Sequence, residues 1–191
     1  TLGLVTAATL KLFPKPAVKE TAWVTLASPG QAVELLARAK AASGGAVTGF
    51  EIVSRFCMDL VLKHIPDIRD PAPSQAPWRV LIELSLPRPE GARDMMEGLL
   101  ADALEAGLIE DAAIAESEAQ KAAMWKIRES IPIAERAHGK ALKHDVSVPV
   151  SRVHEFIEKA SAMVKSMNPG VDIIAFGHVG LVNNITWADP E

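Results

Sequence analysis

The amino-acid sequence predicts an α+β fold in which an antiparallel sheet is covered by helices, and three observations carry that expectation. Short stretches that alternate apolar and polar residues, the mark of a half-buried strand, recur between stretches whose apolar residues fall three and four apart, the mark of an amphipathic helix. The two kinds follow one another with short connections rich in proline and glycine. The composition supplies a core: 49% of the 191 residues are hydrophobic, enough for one domain or one and a half.

Taken in order, Val5, Ala7, Thr9 and Lys11 alternate with Thr6, Ala8, Leu10 and Leu12, which predicts a strand that Pro14 and Pro16 end. Thr21 to Leu26 is a second strand, with Ala22, Val24 and Leu26 on one face. Ser28 caps a helix, Pro29 fits its first position and Gln31 completes a capping box. Ala32, Leu35, Leu36 and Ala39 give that helix one apolar stripe, and Ser43-Gly44-Gly45 stops it. Ala46 to Val53 is a third strand, Phe56 to Ile65 a short helix, and Pro66 to Pro77 a proline-rich surface loop. Val80, Ile82, Leu84 and Leu86 define a fourth strand. Ala92, Met95, Met96, Leu99, Leu100 and Ala103 define the next helix, closed by Gly107, and Asp111 to Ala115 is a short strand.

Ser117 begins a long helix that reaches about His138, with Met124, Ile127, Ile131 and Ala134 as its stripe. Pro132 lies inside it, removes a donor and crowds the Arg128 carbonyl, so a kink is expected near Arg128. Lys143 to Val148 is a strand ending at Pro149. Ser151 caps the last helix, whose stripe of Val153, Phe156, Ile157, Ala160, Met163, Val164 and Met167 is read as core. Ile173 to Phe176 is the final buried strand. This order suits a ferredoxin-like unit, an antiparallel sheet with helices on one face. A doubly wound parallel sheet is the rival.

Composition narrows the function. Twenty basic against 24 acidic residues leave a net charge of −4, without charge runs, which argues against nucleic acid and against a charged membrane surface. Cys57 is the one cysteine, so there is no disulfide framework and a reducing, cytoplasmic location is expected. No apolar run approaches the ~20 residues needed to span a bilayer. The chain does not begin with methionine, and an internal start is expected.

Three stretches could carry chemistry. In Ile173-Ile174-Ala175-Phe176-Gly177-His178-Val179-Gly180 a histidine stands between glycines at the end of a strand, with little bulk around it. It is either a site residue or a histidine in a surface turn. In Trp125-Lys126-Ile127-Arg128-Glu129-Ser130-Ile131-Pro132 the guanidinium of Arg128 suits a carboxylate, which it can grip at two points. The alternative is a solvated helix face with Arg128 paired to Glu129 or Glu135. In Lys143-His144-Asp145-Val146-Ser147-Val148-Pro149, Lys143 either binds an anion or pairs with Asp145 on an exposed strand face.

These stretches resemble motifs of the flavin-linked oxidases of the vanillyl-alcohol oxidase superfamily, in the branch that oxidises D-2-hydroxy acids such as D-lactate, D-2-hydroxyglutarate and glycolate. Gly177-His178-Val179-Gly180 matches the first half of that branch's G-H-[LV]-G-D-G-N-x-H. In the second half Leu181 and Val182 replace Asp-Gly, Asn183 matches, and Ile185 stands where the second histidine belongs. The Arg128 stretch resembles W-x-[IL]-R-E-x-[IL]-x, the Lys143 stretch K-x-D-[LVI]-[ST]-[LV]-P, and residues 1–12 the G-T-L-G-I-[IV]-T-x-A-T-L-[KR]-L that closes the flavin domain.

The resemblance implies a fragment of an FAD-dependent oxidoreductase. Residues 1–16 would be the end of the FAD-binding domain, with Thr1, Leu2 and Gly3 near the flavin, and 17–191 the C-terminal, substrate-binding cap, cut before the family's last motif. In that family the hydroxyl of the acid loses its proton while hydride passes from the α-carbon to the flavin. Arg128 and Lys143 would bind the substrate carboxylate, and His178 would be catalytic, holding the hydroxyl or a divalent metal such as zinc that polarises it. With Ile185 in place of the second histidine, only one member of that metal set remains. The implied partners are a small 2-hydroxy acid, a separate FAD-binding domain and a second copy of the chain. The chain alone is expected to be inactive. The alternative is a non-catalytic α+β binding or dimerisation module derived from such an enzyme.

Overall fold

A computed structural model describes residues 3–12 and 14–179, together with the backbone of 183–189. Its strands are β1 (Val18–Leu26), β2 (Val47–Ser54), β3 (Trp78–Leu86), β4 (Asp111–Ile114), β5 (Lys140–Val146), β6 (Asp172–His178) and β7 (Asn183–Asp189). Its helices are α1 (Pro29–Ala42), α2 (Arg55–His64), α3 (Ala92–Glu105), α4 (Glu118–His138) and α5 (Val153–Met167). The strands form one sheet in the order β4-β1-β3-β2-β6-β7-β5, and every neighbouring pair is antiparallel. The antiparallel reading therefore holds and the parallel rival is excluded.

Helices cover both faces of the sheet, not one. Ala22, Val24 and Leu26 of β1 and Val80, Ile82 and Leu84 of β3 pack beneath α1, α3 and the start of α5. The residues between them point the other way. Trp23, Leu81 and Val53 form a second core with Cys57, Met58 and Val61 of α2 and Met124, Ile127 and Ile131 of α4. The polar residues that alternate in these strands read as solvent-facing, yet Thr21, Thr25, Glu51, Arg79 and Glu83 are buried. They tolerate that burial because most have charged or hydrogen-bonding partners: Arg79, for example, binds Asp70 at 3.0 Å and the carbonyls of Ser74 and Ala76.

Most elements follow the sequence patterns. Ser28 and Gln31 make the expected capping box, and Ser117 accepts from the Gln120 amide at the head of α4. Other expectations fail for identifiable reasons. Residues 3–12 alternate like a strand but belong to no strand of the sheet and are exposed; Leu4 is 94% and Leu12 88% exposed. Alternation makes a strand only where a neighbour takes the backbone hydrogen bonds. Ser151 lies inside a short 3-10 turn, and α5 begins at Val153 without a side-chain cap. The stripe of α5 is core only in its first half: Val153 and Ile157 are buried, whereas Met163 is 60% and Met167 78% exposed. The helix α4 does run to His138 with Pro132 inside it, as expected. The strand β7 went unforeseen, and it joins β5 to β6.

Candidate functional site

The site grows from one pairing. Glu51 of β2 and His178 of β6 are directly opposed across the antiparallel junction of these strands. Opposed residues share a face, with Cβ atoms roughly 5 Å apart. That face lies under α4, because Phe50 and Ile52 turn to the first core and leave Glu51 facing the second. Glu51 is wholly buried, so its charge needs partners. Arg128 of α4 supplies one, its Nε donating to Glu51 Oε2 at 2.8 Å. His178 supplies the other, its Nδ1 lying against Glu51 Oε1 while the ring is half exposed. The Arg128 guanidinium also sits over the Phe176 ring, 4.6 Å from its centre, a cation–π contact that fixes its plane.

One turn before Arg128 on the same helix, Trp125 lies flat on the strand at Gly49. A Cβ on Gly49 would meet the Trp125 ring at 2.9 Å and Glu83 Cβ at 3.1 Å, so the close approach requires glycine. The Trp125 indole donates to Glu83 Oε2 at 3.0 Å, and the other Glu83 oxygen accepts from Lys19 at 2.8 Å and from Thr48 at 3.1 Å. A cleft of about 370 Å³ opens here, lined among others by Lys40, Thr48, Gly49, Glu51, Trp125 and His178.

The structure thus joins Arg128 and His178, from two elements, through a carboxylate that the sequence motifs did not flag. The signal was there: Glu51 is a charged residue inside the apolar run Phe50 to Val53. Arg128 binds neither Glu129 nor Glu135. Lys143 is not brought into this group. It pairs with the buried Glu135 at 3.1 Å, two turns further along α4, and not with Asp145. Nearby, Cys57 is a buried thiol that accepts from Ser54 Oγ at 3.1 Å and donates toward the Ala175 carbonyl at 3.5 Å. Burial pushes its pKa up to about 12, outweighing the opposing hydrogen bonds from Ser54, so it is no nucleophile.

The calls on a flavin and on a catalytic metal fall on residues that are described only in part. Gly3 is exposed in the extended leading segment, with nothing within 4 Å of where a Cβ would sit; Thr1 and Leu2 lie outside the described residues. Glu51 and His178 are two adjacent ligand types, but a catalytic zinc takes three protein ligands. Among the described residues no three His, Cys, Asp or Glu groups come together to hold a metal. The backbone at Ile185 sits opposite Ala175 and His144; its side chain lies outside the description.

The fold recurs among solved structures. The chain superposes on p-cresol methylhydroxylase with a TM-score of 0.61 at 13% identity, over 93% of this chain and 40% of that one. It superposes on alkyldihydroxyacetonephosphate synthase with a TM-score of 0.57 at 10% identity, over 91% of this chain and 36% of that one. These likenesses define the fold. The chain belongs to the family described as FAD linked oxidases, C-terminal domain, whose family model matches residues 15–186. It is 29% identical over 179 residues to the mitochondrial D-2-hydroxyglutarate dehydrogenase of Arabidopsis thaliana, covering 94% of this chain and 32% of that protein. It is 28% identical over 180 residues to the D-2-hydroxyglutarate dehydrogenase of Xanthomonas citri pv. viticola, covering 94% of this chain and 37% of that protein. The chain spans about a third of the length of these relatives.

Proposed function

We propose that this chain is the substrate-binding part of an FAD-dependent oxidoreductase that converts a small D-2-hydroxy acid to the 2-oxo acid. The observation that carries the proposal is the meeting of Arg128 and His178 on Glu51. Glu51 takes only the Nε of Arg128, and among the described residues no acceptor takes its Nη hydrogens. Those two groups form an edge suited to a carboxylate. His178, which with Glu51 lines the neighbouring cleft, can accept the hydrogen of a neighbouring hydroxyl. An α-hydroxy acid carries both groups on adjacent carbons. The names of the relatives support the substrate class, with D-2-hydroxyglutarate as the first candidate.

The redox chemistry belongs to FAD, which other parts of the full-length protein would hold. The residues described here bind and orient the acid. Lys143, paired with Glu135, stands apart and would reach an anion only by leaving that pair.

The test is kinetic and uses the full-length protein. Arg128→Lys keeps the charge but loses the two-point grip, so kcat/KM should fall about ten- to a hundredfold, since a charged hydrogen bond contributes roughly 1.5–3 kcal/mol. Arg128→Ala should cost more, and more for the acid than for its neutral amide. Unchanged kinetics in Arg128→Ala would overturn the proposal.

A further inference from the structure

We infer that Glu51 is a positioning residue that fixes the hydrogen of His178 on Nδ1 and so leaves Nε2 as the bare, acceptor nitrogen facing the cleft. The inference deepens the proposed function and rests on it. The argument begins with the two oxygens of one carboxylate. Oε2 accepts from Arg128 Nε at 2.8 Å, and Oε1 lies against His178 Nδ1. An ionised carboxylate only accepts, and arginine only donates. Oε1 is buried and has no hydrogen bond among the described residues, yet His178 Nδ1 lies against it, and a hydrogen on Nδ1 is what would satisfy it. In the neutral ring one nitrogen bears the hydrogen and the other the lone pair. Fixing the hydrogen on the inner nitrogen puts the lone pair on Nε2.

Arg128 supplies the positive partner of Glu51, and His178 lies against the other oxygen. The backbone keeps the two residues in register, since Glu51 and His178 are opposed and the Val179 amide donates to the Phe50 carbonyl at 2.9 Å. A carboxylate that holds the inner nitrogen of a histidine is a common way to set its tautomer and orientation. Here the same group also sets the plane of the arginine. One buried residue therefore orients both groups that would meet the α-hydroxy acid.

Glutamine at position 51 makes the test sharp. It has nearly the same shape but one accepting oxygen and one donating amide. Arg128 always donates, so it claims the oxygen, and the amide turns to His178. Nδ1 must then accept, and the ring hydrogen moves to Nε2. The experiment is long-range proton–nitrogen correlation NMR on the 191-residue chain, with nitrogen-15 in its histidines, in mildly alkaline buffer, with His178→Gln used to assign the ring. Wild type should show a pyrrole-type Nδ1 and a pyridine-type Nε2, and Glu51→Gln should exchange the two. A wild-type ring with hydrogen on Nε2, alone or together with Nδ1, overturns the inference, as does a folded Glu51→Gln chain with an unchanged tautomer. The wild-type reading requires no change at Glu51, so the inference stays open to refutation even if Glu51→Gln fails to fold. The readout needs neither flavin nor substrate: a failed tautomer together with the expected losses in the Arg128 variants would sink Glu51's role and spare the proposed function, and the expected tautomer with unchanged Arg128→Ala kinetics would do the opposite.

Discussion

At the scale of single residues, the polar groups in the second core decide what this chain can do. Motif reading reached Arg128 and His178 because each stands in a stretch with an unusual composition. It missed Glu51 and Glu83, because a charged residue that alternates along a strand looks like a solvent-facing one. Only the arrival of α4 over that face shows otherwise, and α4 is remote in sequence. Gly49 was invisible for the same reason, since its requirement arises from the Trp125 ring. Cys57 gives a prediction at this scale. Its thiol is buried and its pKa raised to about 12, so iodoacetamide at neutral pH should leave it unmodified in the folded chain and alkylate it once urea unfolds the protein. Rapid labelling without denaturant, followed by mass spectrometry, would contradict the buried placement.

At the scale of elements, caps and stripes were legible wherever local chemistry alone decides structure. The capping box of Ser28 and Gln31 is satisfied in both directions, because a hydroxyl and an amide three residues apart can meet without help from the rest of the fold. Ser151 had the right residue type but lies in a 3-10 turn and caps nothing. The two serines should therefore differ on mutation. Ser28→Ala should lower stability by about 1 kcal/mol, the usual cost of a lost cap. Ser151→Ala should stay within roughly 0.5 kcal/mol of wild type. Urea titrations of both variants check this, and equal losses would refute it. The strand expected in residues 5–12 failed, and so did half the stripe of α5, because strand pairing and helix burial both depend on partners that a local pattern does not name.

At the scale of the whole molecule, the antiparallel sheet followed from the order of elements, but its two-sided cover did not. The apolar residues of β1 and β3 are too numerous for one buried face, and that excess is the signal that could have revealed the second layer. Apolar groups also remain in the open: Leu4, Val5, Leu10 and Leu12 in the leading segment, and Met163 and Met167 on α5. Contiguous apolar surface drives association. Sedimentation velocity on the isolated chain should show dimers or larger species as concentration rises, and aspartates at Leu4, Val5, Leu10 and Leu12 should weaken that association. A strict monomer at high concentration would count against it.

The join between β2 and β6 has a dynamic consequence. β1 and β3 are zipped along nine opposed pairs, from Val18 with Leu86 to Leu26 with Trp78, whereas among the described residues β2 and β6 share three, ending at Glu51 with His178. This join divides the sheet into two panels, both packed on the second core, and the cluster of Arg128, Glu51 and His178 stands across it. Sub-global opening follows the weakest seam of a cooperative unit. Native-state hydrogen exchange should show the amides of β6 released together, at lower free energy than those of β1 and β3, and Glu51→Gln should widen the gap. Equal protection across the sheet would mean the panels open as one. If they open separately, the cluster that we propose grips an acid would also be the latch whose release lets it go.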